Sequence, residues 1–404
     1  MSTRAYESVY LDYQATTPAD PRVVEAMKPY WSAVYGNPHS ADHAFGWKAD
    51  AAVEAARAEI AGLIGADPDE IIFTSGATEA NNLAILGIAR AAPPPCRRIV
   101  ISAIEHKCVI AAARAAAHEG YAVTVVPVGP DGIINVGAIS ATLDDQVAIV
   151  SVMTVNNEIG TIQPIEEIGE LCRSRGVIFH TDAAQALGFL EIDVDKCKVD
   201  LMSLSGHKVY GPKGIGALCV RRDSRIKPKP IIHGGGQEFG LRSGTLPTPL
   251  CVGFGEACRI IHSEGRSMNA TLAGMRDYFL NGLLETVPGL KINGSMAARH
   301  PGNINIQFSG LEAEIILNGL QPHVAASTGS ACTSGLTEPS HVLRAIGLSS
   351  REAESSIRFG FGRFTTITEI EFAISMIQST LARLREGHSH QIRSVVQTSS
   401  KRRR

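Results

Sequence analysis

The stretch from Leu201 to Gly216 reads LMSLSGHKVYGPKGIG. An apolar run enters a Ser-Gly-His-Lys turn, so Lys208 falls at the end of an expected strand, where a side chain is held rigidly. An amine held there condenses with a carbonyl once its surroundings lower its pKa. Taken alone, Lys208 reads better as a surface lysine beside a turn. The stretch HTDAAQ at 180–185 changes that reading. Asp182 follows the apolar Val177-Ile178-Phe179 and also falls at a strand end, although by itself it could simply cap a helix at Ala183-Ala184. Together the two meet the needs of a pyridoxal 5'-phosphate site. The carboxylate keeps the pyridine nitrogen protonated, and the lysine carries the aldehyde carbon.

Two further stretches could do chemistry. Ile71-Ile72-Phe73-Thr74-Ser75-Gly76-Ala77-Thr78 reads as strand, glycine turn and helix start. The free N–H groups and positive dipole end of such a helix suit a phosphate, with Ala77 and the Thr78 hydroxyl at the cradle. Many strand-to-helix turns look alike, so this signal gains weight only beside Asp182 and Lys208. The stretch Ser327-Thr328-Gly329-Ser330-Ala331-Cys332-Thr333-Ser334-Gly335 surrounds one cysteine with small residues that cannot pack a core. An exposed thiol is an oxidation liability unless it has a task; the alternative is a tolerated surface cysteine. The other seven cysteines are read as structural by default, although Cys108, just after Glu105-His106-Lys107, stands near the candidate site in sequence. No CxxC or zinc spacing occurs, and a chain of this length is expected to keep such cysteines reduced.

The four stretches HTDAAQ, SLSGHKVYGPKG, HGGGQEFGLRSGT and STGSACTSG together resemble the cysteine desulfurases of the IscS/NifS type, over nearly the whole chain from Tyr10 to Thr366. That resemblance implies a pyridoxal-phosphate-dependent transferase of fold type I. It implies L-cysteine as substrate, alanine as product, and a persulfide left on Cys332 for transfer to an iron–sulfur scaffold or another sulfur acceptor. Cys332 would also serve as a transient 2Fe–2S ligand. His106 would stack on the cofactor ring and move protons. Asn157 and Gln185 would hydrogen-bond its ring hydroxyl oxygen, and Ser205 and His207 would reach the phosphate. Thr245 would reach the phosphate of a neighbouring subunit across a homodimer. Arg358 would grip the substrate carboxylate. Asn37 would also contact that carboxylate, or else serve only its turn before Pro38. The family also includes selenocysteine lyases and donors to tRNA thiolation. The tail after Arg385 lacks the apolar and aromatic segment by which IscS proteins grip their scaffold.

The elements that must position these groups follow from pattern. The chain has 404 residues, 44% hydrophobic content, 39 glycines and a net charge of −2. This suits an α/β protein and excludes a sustained basic face for nucleic acid. No N-terminal stretch reads as a signal peptide and no run reaches a membrane span, so a cytoplasmic protein is expected. Strands alternate with helices through the first two thirds, which predicts a mainly parallel, seven-stranded-type sheet with helices on both faces. The candidate ligands fall at the C-terminal strand ends, where open α/β sheets bind ligands. The expected large domain covers 20–260. Residues 1–19 and 261–385 form a smaller α+β domain carrying the Cys332 loop, and 386–404 a disordered tail. Ser40 is expected to cap the helix that runs to about Gly65. A long helical pattern after Pro247 is expected to run to about Val287, with a break near Ser263, and to hold the hinge between the domains.

Overall fold

The computed structural model describes residues 8–329 and 339–401, with side chains through Glu386. Its twelve strands in chain order are β1 (Val9–Tyr10), β2 (Ile71–Thr74), β3 (Arg98–Ser102), β4 (Ala122–Val126), β5 (Val147–Ser151), β6 (Ile178–Asp182), β7 (Leu201–Ser205), β8 (Gly216–Val220), β9 (Leu290–Ile292), β10 (Asn303–Phe308), β11 (Val324–Ala325) and β12 (Ser356–Gly360). Seven of them form one sheet in the order β2-β8-β7-β6-β5-β3-β4. Only β8 runs against the rest, pairing antiparallel with both β2 and β7. Strands β5, β6, β7 and β8 are buried at every position. Burial on both faces is why their sequences read as continuous apolar runs rather than alternating ones.

Two helical layers cover the sheet. Helices Ala44–Ile64 and Thr248–Leu284 pack together on one face, where Val53, Ile60, Ile64, Phe254, Cys258 and Ile261 join a core with Phe73, Phe179 and Met202. Helices Ala77–Ala91 and Lys107–His118 cover the other, with Leu83, Ile88, Val109 and Ala113 against Ile72, Ile99, Ile149 and Leu218. Local chemistry sets the helix ends. Asp20 caps Pro21–Met27 by accepting from the Arg22 amide. Gly176, at φ 68°, closes Ile165–Arg175 in a left-handed conformation that suits glycine.

A second core lies beyond the sheet. The antiparallel sheet β12-β10-β9 packs with Ala313–Leu320 and the C-terminal helix, and Phe279, Phe308, Phe359, Ile370 and Ile377 are buried in it. Val9, Leu11 and Tyr13 of the N-terminal arm join this core, and β1 pairs parallel with β11. The α/β class, the mainly parallel seven-stranded sheet and the smaller α+β part are all as expected.

Three local expectations differ. The helix to Ile64 starts at Ala44 and is capped by His43, whose Nδ1 accepts from the Gly46 amide at 3.1 Å, not by Ser40. Thr248–Leu284 is one unbroken helix of 37 residues. Ser263 does not break it because its hydroxyl donates to the Ile260 carbonyl at 2.9 Å and so is satisfied within the helix. The last helix spans Ile367–Lys401 rather than stopping at Arg385. No proline lies between Arg385 and Lys401, and Gly387 alone does not end the hydrogen-bond ladder.

Candidate active site

The C-terminal ends of β2, β3, β5, β6 and β7 open onto one cavity of about 510 Å3. Strand β6 ends in Asp182, and β7 ends in Ser205, followed by the short turn Gly206–Lys208. The segment beyond β5 brings Met153 and Asn157, and the one beyond β3 brings His106. Gly76 follows β2 at φ 150°, a conformation that other residues rarely adopt. A Cβ there would meet no atom within 4 Å, so the backbone faces open space directly before the helix Ala77–Ala91.

Each polar group is held by particular neighbours. Asp182 is buried; its Oδ1 accepts from the Ala184 amide at 2.9 Å and its Oδ2 from Asn81 Nδ2 at 2.7 Å. Lys208 Nζ donates to the carbonyls of Gln14 and Ala15 on the N-terminal arm. Burial, helped by the Arg358 guanidinium and opposed by Asp12 and Asp182, lowers the Lys208 pKa to about 8. His106 caps the helix Lys107–His118, its Nδ1 accepting from the Cys108 amide at 3.2 Å. The imidazole is exposed on its outer side, yet desolvation by the atoms packed behind it lowers its pKa, with Asp182 opposing and Lys208 adding to the shift. Desolvation, reinforced by Lys208 and Lys213, lowers the His207 pKa to about 4. Behind Asp182, buried His180 lies between the hydroxyls of Ser151 and Ser203 at 2.8 and 2.9 Å, and desolvation holds its pKa at about 3.

The cavity thus brings together Ala77, Thr78, His106, Asn157, Asp182, Gln185, Ser205, His207 and Lys208. Three other expected site residues lie apart from its walls. Thr245 is exposed on the loop after Arg242, which is tied to the phosphate-side helix by an Arg242–Glu79 ion pair at 2.8 Å. Asn37 is exposed, and its Oδ1 accepts from the His39 amide at 3.0 Å, which is the turn role. Arg358 is buried on β12, and its guanidinium meets Asp12 at 2.6 Å, the Ser327 hydroxyl at 2.9 Å and the Asn157 carbonyl at 2.9 Å. Its Nε has no partner among the described residues. Cys332 lies outside the described residues. Sequence reasoning missed Asn81 and the arm carbonyls that hold Lys208. Cys108, read as structural by default though near the site in sequence, lines the cavity. The Gly-Ala-Thr-Glu-Ala-Asn spacing offered a signal, because Asn81 stands three residues after Thr78, on the same helix face.

This donor set fits pyridoxal phosphate. An anion fits at the open helix end after Gly76, a buried carboxylate suits a pyridinium nitrogen, and a lysine of lowered pKa suits an aldehyde carbon. The lysine must be neutral to react, so uptake of the cofactor by the cofactor-free chain has a defined pH profile. The uptake rate is expected to rise about tenfold per pH unit below 8 and to level off above it. Stopped-flow growth of visible absorbance measures this; a rate that is flat from pH 6 to 9 would contradict the assignment.

The chain has relatives among known proteins. Residues 9–372 match the family model described as aminotransferase class-V. The cysteine desulfurase IscS of Rickettsia bellii is 51% identical over 378 residues, covering 94% of this chain and 92% of that protein. Among solved structures, a NifS-like protein is similar with a TM-score of 0.87 and 32% identity, covering 93% of this chain and 99% of that one. The structure titled SspA in complex with cysteine is similar with a TM-score of 0.79 and 39% identity, covering 89% and 100%. Pyridoxal phosphate is the cofactor of this group. The chain belongs to the class-V aminotransferase family, within its cysteine desulfurase branch.

Proposed function

We propose that this cavity takes sulfur from L-cysteine and passes it, through Cys332, to an acceptor protein. The observation that carries the reading is the convergence of Asp182, Lys208 and the N-terminus of Ala77–Ala91 on one cavity. Bound pyridoxal phosphate supplies an electron sink beside the substrate Cα. Gly76 to Thr78 would hold its phosphate with help from Ser205 and His207, Asp182 its ring nitrogen, His106 one ring face, and Asn157 and Gln185 its ring oxygen. Lys208 Nζ takes the Cα proton, which its lowered pKa favours near neutral pH. His106 is placed to accept a proton from a thiol. The Cys332 thiolate attacks the substrate sulfur, so that an S–S bond forms as the Cβ–S bond breaks. Cysteine and one thiol become alanine and one persulfide, and no outside oxidant is needed.

Arg358 is proposed to receive the substrate carboxylate, exchanging part of its contact with Asp12. A guanidinium fork suits that exchange and a lysine does not. Arg358→Lys is therefore expected to raise KM for cysteine by at least about tenfold in steady-state assays; an unchanged KM refutes the role. Thr245 is proposed to complete the site of a second copy in a homodimer. A persulfide-forming thiol needs a reducing compartment, so the reading places the enzyme in the cytoplasm. Iron–sulfur cluster assembly is the proposed destination of the sulfur, with Cys332 as a transient cluster ligand. One experiment tests the core of this reading. The purified protein should absorb in the visible and release one alanine per persulfide from L-cysteine. A cofactor-loaded protein that makes alanine from selenocysteine alone would move the substrate; one that makes none would overturn the activity.

A further inference from the structure

Asn81 lies on the helix Ala77–Ala91, one turn after Thr78, and is completely buried. Its Nδ2 donates to Asp182 Oδ2 at 2.7 Å and approaches Cys108 Sγ at 3.2 Å. Cys108 Sγ in turn lies 3.0 Å from His106 Nδ1. Asn81 Oδ1 has no partner among the described residues. An orphaned buried acceptor is unfavourable, so this amide orientation needs a compensating gain. Turning the amide over would put the oxygen against the Asp182 carboxylate, oxygen facing oxygen. The native orientation instead gives that carboxylate a donor.

We infer that Asn81 is a positioning residue that fixes the Asp182 carboxylate for the cofactor's ring nitrogen and, through Cys108, links it to His106. One helix thereby sets both ends of the bound group. Its first turn, at Gly76 to Thr78, faces the phosphate, and Asn81, one turn on, locks the carboxylate at the opposite end. Cys108 serves here as a small contact and not as a nucleophile. Desolvation, with the Asp182 charge adding to it, raises its pKa to about 12, so the thiol stays protonated. The inference rests on the proposed cofactor site.

The test is a cycle of Asn81→Leu, Asp182→Asn and the double variant, read by pyridoxal phosphate affinity and by pH titration of the bound cofactor's visible band. Asn81→Leu keeps the volume and removes the donor. It is expected to weaken pyridoxal phosphate binding about tenfold to hundredfold, the range of a hydrogen bond to a charged group, and to move the titration of the band. In the Asp182→Asn background the same substitution should add less than about twofold, because its effect passes through the carboxylate. Asn81→Ser, which retains a donor, should recover part of the affinity. An equal loss in both backgrounds would make Asn81 a packing residue and overturn the inference. So would an unchanged affinity and band in Asn81→Leu. A wild-type protein that takes up no pyridoxal phosphate would instead overturn the cofactor site itself.

Discussion

Lys208→Ala is expected to lower alanine formation by at least about 10³-fold, the loss that follows removal of a positioned proton-transfer base. Two roles vanish with one side chain: the covalent hold on the cofactor aldehyde and the base at Cα. Asp182 and the helix end after Gly76 remain, so the variant should still bind pyridoxal phosphate, now removable by dialysis. Stability should move the other way. The lysine's pKa in the folded chain, about 8, lies below its ordinary 10.5. The unfolded chain therefore binds the proton more readily, and the folded chain carries the full penalty below pH 8. That penalty fades as the pH rises from 8 toward 10.5. At pH 7 the cofactor-free variant should be more stable than the wild type by on the order of 1–3 kcal/mol. Denaturant unfolding of the two cofactor-free proteins at pH 7 and pH 10 measures this. A variant that is less stable at pH 7 would mean that the bonds to Gln14 and Ala15 outweigh the buried charge.

Cys332→Ser is expected to keep cofactor binding intact and to cut persulfide formation by at least about 10³-fold. A hydroxyl near neutral pH has no anionic population comparable with that of a thiol. The loss should fall on sulfur transfer and not on the step at Cα. Exchange of the substrate Cα proton with solvent, followed by NMR in deuterated buffer, should persist in Cys332→Ser and disappear in Lys208→Ala. This pair of outcomes separates the two centres. A Cys332→Ser protein that still releases sulfide from cysteine at the full rate would refute the nucleophile.

The strands were legible because a strand buried on both faces, such as Val147–Ser151, leaves an apolar run bounded by turn residues. The meeting of Asp182 and Lys208 in one cavity was legible because parallel strands deliver their C-terminal residues to one edge. What stayed hidden depends on contacts distant in sequence. Asn81 meets Asp182 across 101 residues, and Lys208 meets the arm carbonyl of Gln14 across 194. The spacing from Thr78 puts Asn81 on the right helix face but does not name its partner, and nothing local points from Lys208 to the arm. Ser40 misled because serine is a common cap, while His43 supplied the same acceptor from its ring nitrogen.

The unbroken helix Thr248–Leu284 has a mechanical consequence. Cys251 to Ile261 anchor its first half in the core beneath the large sheet, and Met268 to Leu283 anchor its second half in the smaller one. At 1.5 Å per residue this beam is roughly 55 Å long. Two bodies threaded on a stiff rod cannot swing apart as they would on a loop. Any relative movement of the two cores has to flex the rod or slide along its flanks.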